Sequence, residues 1–238
     1  MVDILEFLSK KPFAVVAHRG ASGYEPENTI RAFKKAIEMK ADAVEFDVRL
    51  SKDNVPVVIH DETLNRTTDG TGRVDSYTSE QLKNFNAGRG ERIPLLSEAL
   101  DLVYGRICVL LELKEIRASR YALNLVESKD MLNQVMFVSF HEDALKAVAE
   151  ANPNTYRGLI YAKPGDYILI AKRIGCIAVM PYYKLATLKT VEFAHKLKLK
   201  VNVWTVDDLE VARKLVKMGV DSITTNKPDL IVKLREAM

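Results

Sequence analysis

From Ile107 onward the sequence alternates between short apolar runs and stretches whose apolar residues recur at helical spacing. No other feature restricts the fold as much. The strand-like runs are Ile107–Leu113, Val135–Phe140, Tyr156–Tyr161, Cys176–Met180, Lys200–Thr205 and Asp221–Thr225. Between and after them Ser119–Ser128, Glu142–Ala151, Asp166–Arg173, Thr187–Leu197, Asp207–Met218 and Pro228–Ala237 read as helices. Strands joined through helices run parallel, because each crossover returns the chain to the same end of the sheet. Upstream, Phe13–Ala17 and Ala43–Val48 extend the series, with a helix from the cap Asn28-Thr29 to Met39 between them. Eight parallel strands in 238 residues are the count of a closed (β/α)₈ barrel, the TIM barrel. An open doubly wound sheet is the rival, but no GxGxxG follows an early strand.

The second strand leads into a turn signal, Lys52-Asp53-Asn54-Val55, and then a β-rich run, Val57-Val58-Ile59, ending on His60. With Asp53-Asn54 as a two-residue loop, Lys52 pairs with Val55, Leu50 with Val57 and Asp47 with His60. The returning arm is then a hairpin and not a barrel member. Residues 61–94 are irregular, with one helical piece starting at the cap Thr78, and a short helix, Ser97–Val103, precedes the third barrel strand. A loop this long is expected to be functional or a small inserted unit. No linker or low-complexity tract divides the chain, so residues 1–238 are expected to form one domain carrying the insertion 61–94.

Composition removes several classes of function. The net charge of +3 suits an anionic ligand, but no basic run interleaved with aromatics marks a nucleic-acid track. No apolar stretch approaches the ~20 residues of a membrane span, so no stable membrane association is expected. The N-terminal MVDILEFLSKK carries Asp3 and Glu6 among its apolar residues and reads as a short amphipathic helix, not a signal peptide. Cys108 and Cys176 both lie in apolar runs and are expected to be buried free thiols, which fits a reducing, cytoplasmic location. The oligomeric state is open, with a homodimer as one option.

Active sites of such barrels lie at the C-terminal ends of the strands, and that is where charged residues interrupt the apolar runs here. The first strand ends in His18-Arg19, the second carries Glu45 and Asp47, and the third carries Glu112 and Lys114. Residues two apart on a strand share a face, so each pair points one way. Two like charges about 4 Å apart repel by roughly 4 kcal/mol at an effective dielectric of about 20. Three converging carboxylates would therefore cost on the order of 10 kcal/mol, comparable to the stability of a whole domain. Either they are apart, or a cation sits among them. An all-oxygen set favours Mg²⁺, Ca²⁺ or Mn²⁺ over zinc. Two competing readings stand beside this one: Glu45 and Asp47 as the solvated face of an edge strand, and Glu112–Lys114 as a salt bridge inside the barrel.

Taken in order, His18-Arg19-Gly20, Pro26-Glu27-Asn28-Thr29, Glu45-x-Asp47, His60-Asp61, Arg66-Thr67-Thr68-x-Gly70, Glu112-x-Lys114, Ser139-Phe140 and Trp204-Thr205-Val206 resemble the glycerophosphodiester phosphodiesterase family. The resemblance runs from about Ala14 to Pro228. It implies a phospholipase-C-like barrel that hydrolyses a small-molecule glycerophosphodiester to sn-glycerol 3-phosphate and an alcohol. It further implies that Glu45, Asp47 and Glu112 ligate one divalent cation and that His18 and His60 are the catalytic acid/base pair. Arg19 and Lys114 match phosphate contacts, and Phe140 and Trp204 match aromatic positions that bind substrate. A lysophospholipase D acting on acylated lipids is one alternative, needing a larger apolar rim; a non-catalytic phospho-ligand-binding barrel is another. Asn226 and His141 depart from similar sequences, and both are read as lying outside the catalytic set. His195 is read as a surface residue at a helix end, and Arg66–Gly70 as shaping the insertion.

Overall fold

A computed structural model describes residues 2–238. Among them are nine strands: β1 (Ala14–Ala17), β2 (Ala43–Leu50), β3 (Pro56–Val58), β4 (Cys108–Leu113), β5 (Val135–Ser139), β6 (Tyr156–Tyr161), β7 (Ala178–Pro181), β8 (Lys200–Val203) and β9 (Ser222–Thr225). The helices are α1 (Ile4–Ser9), α2 (Ile30–Glu38), α3 (Ser79–Leu82), α4 (Leu96–Val103), α5 (Ala118–Ser128), α6 (Glu142–Ala151), α7 (Tyr167–Arg173), α8 (Leu188–Lys196), α9 (Leu209–Lys217) and α10 (Pro228–Glu236). All strands but β3 run parallel, and β1 pairs with both β2 and β9, which closes the barrel. The fold is the expected (β/α)₈ barrel, with β3 added antiparallel on β2.

Strand alternation divides the core in two. Val15, Ala17, Val44, Phe46, Val48, Val109 and Leu111 face outward and pack beneath the helices. Ala14, Val16, Ala43, Cys108, Leu110, Met136, Val138, Ile160 and Met180 face inward, and Ile4, Phe7 and Leu8 of α1 plug that interior at the N-terminal end of the strands. The same alternation continues toward the C-terminal ends. There it delivers His18 after Val16, Glu45 and Asp47 after Ala43, Glu112 and Lys114 after Leu110, and Phe140 after Val138. The polar mouth is the upper continuation of an apolar interior.

One local expectation needs correction. The hairpin register is Val48↔Val58, Arg49↔Val57 and Leu50↔Pro56, one residue off the expected pairing. Its loop has three residues, Lys52, Asp53 and Asn54, closed by Ser51 N–H on Val55 O at 3.0 Å, with Asn54 at φ 59°. A left-handed third residue is a common ending for such loops, and the extra residue moves every pair by one. Ile59, not His60, bonds Asp47 across the ladder (3.0 Å). His195 is exposed in the last turn of α8, as expected, and its Nε2 lies 2.8 Å from Asp221 Oδ2, in a cluster with Lys200.

Residues 59–95 wrap a small apolar cluster of their own, including Ile59, Leu64, Val74, Leu82 and Ile93. Thr78 and Gln81 form a capping box on α3. Cys108 and Cys176 are free and buried. Among the described residues no helix is long and apolar enough to cross a membrane.

At the end of the barrel away from the mouth, the Asp42 carboxylate accepts from Val15 N–H (2.8 Å) and pairs with Lys10 and Arg235, tying β1, the α1 segment and α10 together. Arg235 is largely buried (10 % side-chain exposure), so removing its partner strands a charge. Asp42→Ala should therefore lower unfolding stability by roughly 2–4 kcal/mol, read by urea denaturation. A variant as stable as the wild type would refute the clamp.

Candidate active site

Inward alternation on β2 and β4 gathers Glu45, Asp47 and Glu112 so that one carboxylate oxygen from each lies within 4.8 Å of the others. Their exposures are 4, 1 and 9 %, which rules out the solvated edge strand. Glu45 Oε2 accepts from the Arg19 backbone N–H at 2.8 Å. Asp47 Oδ2 accepts from Asn28 Nδ2 (2.7 Å) and lies 3.3 Å from Arg19 Nε, while its Oδ1 lies 3.5 Å from Lys114 Nζ. Lys114 also pairs with Glu112 at 2.5 Å. The salt-bridge reading of Glu112–Lys114 is thus correct as geometry, but the pair is part of a larger cluster.

The backbone around Arg19 makes this possible. Arg19 (φ 54°), Gly20 (φ 80°) and Asn28 (φ 57°) are all left-handed, a conformation uncommon outside glycine. A Cβ at Gly20 would meet Ala32 at 2.7 Å, so the turn sits directly on α2. Arg19 can thereby aim its N–H at Glu45 and its guanidinium between Asp47 and Glu27. Thr29, not Asn28, caps α2, accepting from Ala32 N–H.

Burial first, and then charge repulsion, shape the protonation behaviour. Burial, with Asp47 and Glu112 beside it, drives the Glu45 carboxyl well above its ordinary range. Burial and Asp47 push Glu112 up to about 7. Burial opposes ionisation of Asp47 too, but Lys114 and Arg19 hold it below the usual value. Glu45 Oε1 is buried with no hydrogen-bond partner. An orphaned carboxylate oxygen facing two further carboxylates is a fit for a hard divalent cation, and these three residues would hold it.

Both expected histidines reach the same place. His18 follows β1, and its Nδ1 lies 2.8 Å from Asn226 Oδ1. His60 follows the end of β3; it arrives despite the register shift because it lies beyond the ladder, its carbonyl held by Arg49 Nε at 2.8 Å. Its Nδ1 lies 2.6 Å from Asp61 Oδ1. Burial lowers the pKa of both imidazoles, helped by Arg19 at His18 and by Lys114 and Arg19 at His60, where Asp47 pulls the other way.

His18, Arg19, Glu45, His60, Glu112 and Lys114 form the charged half of a cavity of about 180 Å³. Its other half is apolar, from Val138, Phe140, Ile160, Met180 and Trp204. Phe140 and Trp204 meet edge to face (centroids 5.5 Å apart), and Trp204 also contacts Tyr182 at 5.7 Å. A larger hollow of about 590 Å³ lies beside α1 at the opposite end and contains none of these groups.

The profile of the glycerophosphoryl diester phosphodiesterase family matches residues 18–230. This chain belongs to that family. A glycerophosphodiester phosphodiesterase of Caldanaerobacter subterraneus subsp. tengcongensis is 35% identical over 237 residues, covering 92% of this chain and 96% of that one. One from Bacillus altitudinis is 34% identical over 245 residues, covering 94% and 98%. Among solved structures, a phosphodiesterase of Oleispira antarctica in complex with the product sn-glycerol-3-phosphate superposes with a TM-score of 0.89 at 28% identity, covering 94% of this chain and 96% of that one. The glycerophosphodiester phosphodiesterase of Agrobacterium tumefaciens gives 0.83 at 31% identity, over 93% and 99%. The family match begins at His18 itself.

Sequence reasoning missed four residues of this family member's site: Glu27, Asn28, Asp61 and Asn226. Arg66 bridges Asp61 (2.7 Å) and Glu27 (2.8 Å), and Glu27 in turn bonds Arg19. The insertion is thereby tied through Arg66 to both His60 and Arg19. Asn226, read from the sequence as outside the proposed catalytic set, lies against His18, with Oδ1 2.8 Å from its Nδ1. His141, by contrast, is exposed at the start of α6 and makes no side-chain cap bond.

Glu112 titrates higher in the fold than in an unfolded chain, so without a cation its contribution to stability falls as pH rises from about 4.3 through about 7. In EDTA the melting temperature of the wild type should drop across that window more steeply than that of Glu112→Gln. Saturating Mg²⁺, Ca²⁺ or Mn²⁺ should raise the wild-type value more than the variant's. Parallel pH profiles would show that the three carboxylates do not repel one another as described.

Proposed function

We propose that this chain hydrolyses glycerophosphodiesters to sn-glycerol 3-phosphate and an alcohol, using a divalent cation held by Glu45, Asp47 and Glu112. The observation that carries the reading is one cavity lined by Glu45, Glu112, two imidazoles and two cationic side chains, with an Asp47 carboxylate oxygen within 4.8 Å of those of Glu45 and Glu112. The named relatives and the sn-glycerol-3-phosphate complex of the Oleispira antarctica neighbour support it. Bound there, the ion would supply Lewis-acid charge against a phosphoryl oxygen.

The protein's own groups do the rest. Arg19 and Lys114 hold the phosphodiester oxygens against the carboxylate cluster, and the apolar half of the cavity strengthens those contacts by lowering the local dielectric. One histidine takes the proton from the attacking oxygen, which is water or first the glycerol 2-hydroxyl, as the new phosphorus–oxygen bond forms. The other gives a proton to the alcohol oxygen as its bond to phosphorus breaks. Imidazoles titrate close to neutrality, so both jobs are feasible there, and burial favours in each the uncharged form that accepts a proton. The insertion contributes by holding His60 through Asp61 and Arg66. A non-catalytic binder has no use for two imidazoles beside the cation site.

One observation favours a second reading. Phe140, 40 % exposed, extends with Trp204, Tyr182 and Tyr183 into an aromatic rim at the mouth. That rim could receive the acyl chain of a lysophospholipid, whose hydrolysis would be a lysophospholipase D reaction. Comparing turnover of glycerophosphocholine with lysophosphatidylcholine separates the two.

Replacing either histidine, His18→Ala or His60→Ala, should lower turnover of a glycerophosphodiester by roughly two to four orders of magnitude while melting behaviour is preserved. Full activity in either variant would remove the acid/base assignment. EDTA should abolish hydrolysis, and Mg²⁺, Ca²⁺ or Mn²⁺ added singly should restore it. Turnover undiminished after chelation would reject the metal.

A further inference from the structure

The two histidines of the mouth differ in what holds them. His60 Nδ1 meets a carboxylate, Asp61, whereas His18 Nδ1 meets a neutral amide, Asn226. An amide can turn either its oxygen or its NH₂ toward a neighbour, and the far end decides which. Asp207 Oδ2 lies 2.7 Å from Asn226 Nδ2, and Asp207 Oδ1 accepts from the Asn226 backbone N–H (2.8 Å) and from Thr225 Oγ1 (2.8 Å). A carboxylate accepts only. The NH₂ must therefore face Asp207, and the amide oxygen must face His18. That oxygen also only accepts, so the hydrogen between the two side chains sits on His18 Nδ1. Ser22 Oγ, 2.9 Å from the same oxygen and 2.7 Å from His18 O, donates to either one and does not disturb the assignment.

We infer that Asn226, itself fixed by Asp207, is a positioning residue that holds His18 as the Nδ1–H tautomer, with the Nε2 lone pair free to accept a proton. The inference rests on the proposed proton-transfer role of His18 and adds the residues that set its direction. The neighbourhood also explains why an amide stands at 226. An aspartate in this place would set a second carboxylate about as near Asp207 as the amide nitrogen now lies, at 2.7 Å. Like charges so close cannot both be ionised. The residues at 207 and 226 thus form a matched pair, one accepting and one donating. Exchanging both preserves the pattern. An amide at 207 would accept from the backbone of residue 226 and from Thr225, and would donate to a carboxylate at 226 that accepts from His18.

The test is imidazole ¹⁵N spectroscopy of Mg²⁺-saturated protein, with His18 assigned by its loss in His18→Gln, alongside kcat and KM. In the wild type His18 should show a protonated Nδ1 and an unprotonated Nε2. Asn226→Leu should move those shifts toward the Nε2–H form and lower kcat by about ten- to a hundredfold, with KM changed less than about twofold. Asn226→Asp should also be impaired. The isosteric double variant N226D/D207N should recover the Nδ1–H signature and most of kcat. Wild-type nitrogen shifts and kcat in Asn226→Leu would overturn the inference, as would a double variant no better than Asn226→Asp alone. The shifts report on the tautomer whether or not any glycerophosphodiester is turned over. Failure of the functional reading is therefore distinguishable from failure of this one.

Discussion

Everything at the mouth of this barrel follows from three carboxylates that the closed sheet does not let separate. Glu45 and Asp47 share a strand face, and the β2–β4 register sets Asp47 directly beside Glu112. In an open or flexible scaffold the repulsion would relax by displacement. In a closed barrel the strands are pinned on both sides, so burial together with the repulsion makes Glu45 and Glu112 titrate high, while Asp47, with two cations against it, stays low. The raised Glu45 and Glu112 carboxyls mark negative charge that a divalent ion held there would offset.

That unfavourable arrangement depends on rigidity elsewhere. Ile4, Phe7 and Leu8 fill the interior at the N-terminal ends of the strands. Two buried aspartate clusters, around Asp42 and Asp221, bind helices and strands together at that end. The charged groups there are paired by opposite charge and backbone N–H, whereas those of the mouth include like charges and an unpartnered oxygen. Stability is concentrated at one end of the barrel and reactivity at the other, a division that strand polarity imposes on any (β/α)₈ chain.

The barrel was legible in the sequence because one rule, alternation of facing, operates on every strand and places both the apolar interior and the polar mouth. Glu45, Asp47, Glu112 and Lys114 could be found from spacing alone for that reason. What spacing could not reveal depended on single backbone torsions. Asn54 adopts a left-handed conformation and lengthens the hairpin loop by one residue, which displaced the expected pairing of Asp47 with His60. Asn28 is also left-handed and turns from a helix cap into a support for Asp47. Asn226 meets His18 only because β1 and β9 are neighbours in the closed sheet, across more than two hundred residues of sequence. The Asn-Thr and His-Asp pairs were visible as signals. Which member of each pair bonded to what was not.

Chain order also separates two properties of the proposed reaction. The charged half of the cavity comes from β1, β2, β4 and the β3 arm, in the first half of the sequence; the apolar half comes from the residues of β5 to β8 and just beyond. Distant groups without shared partners contribute nearly additively, so the aromatic rim can vary to suit different alcohols with little effect on the cation site. The halves touch where Lys114 Nζ lies 5.9 Å from the Phe140 ring centroid. A cation at that distance from an aromatic face is attracted to it, and the same Nζ is shared with Glu112 and Asp47. Changes to the ring at position 140 are therefore felt by the carboxylate cluster, whereas Trp204 lies one ring further out, against Phe140. Of the two aromatic positions, the one nearer the charges has less freedom to diverge.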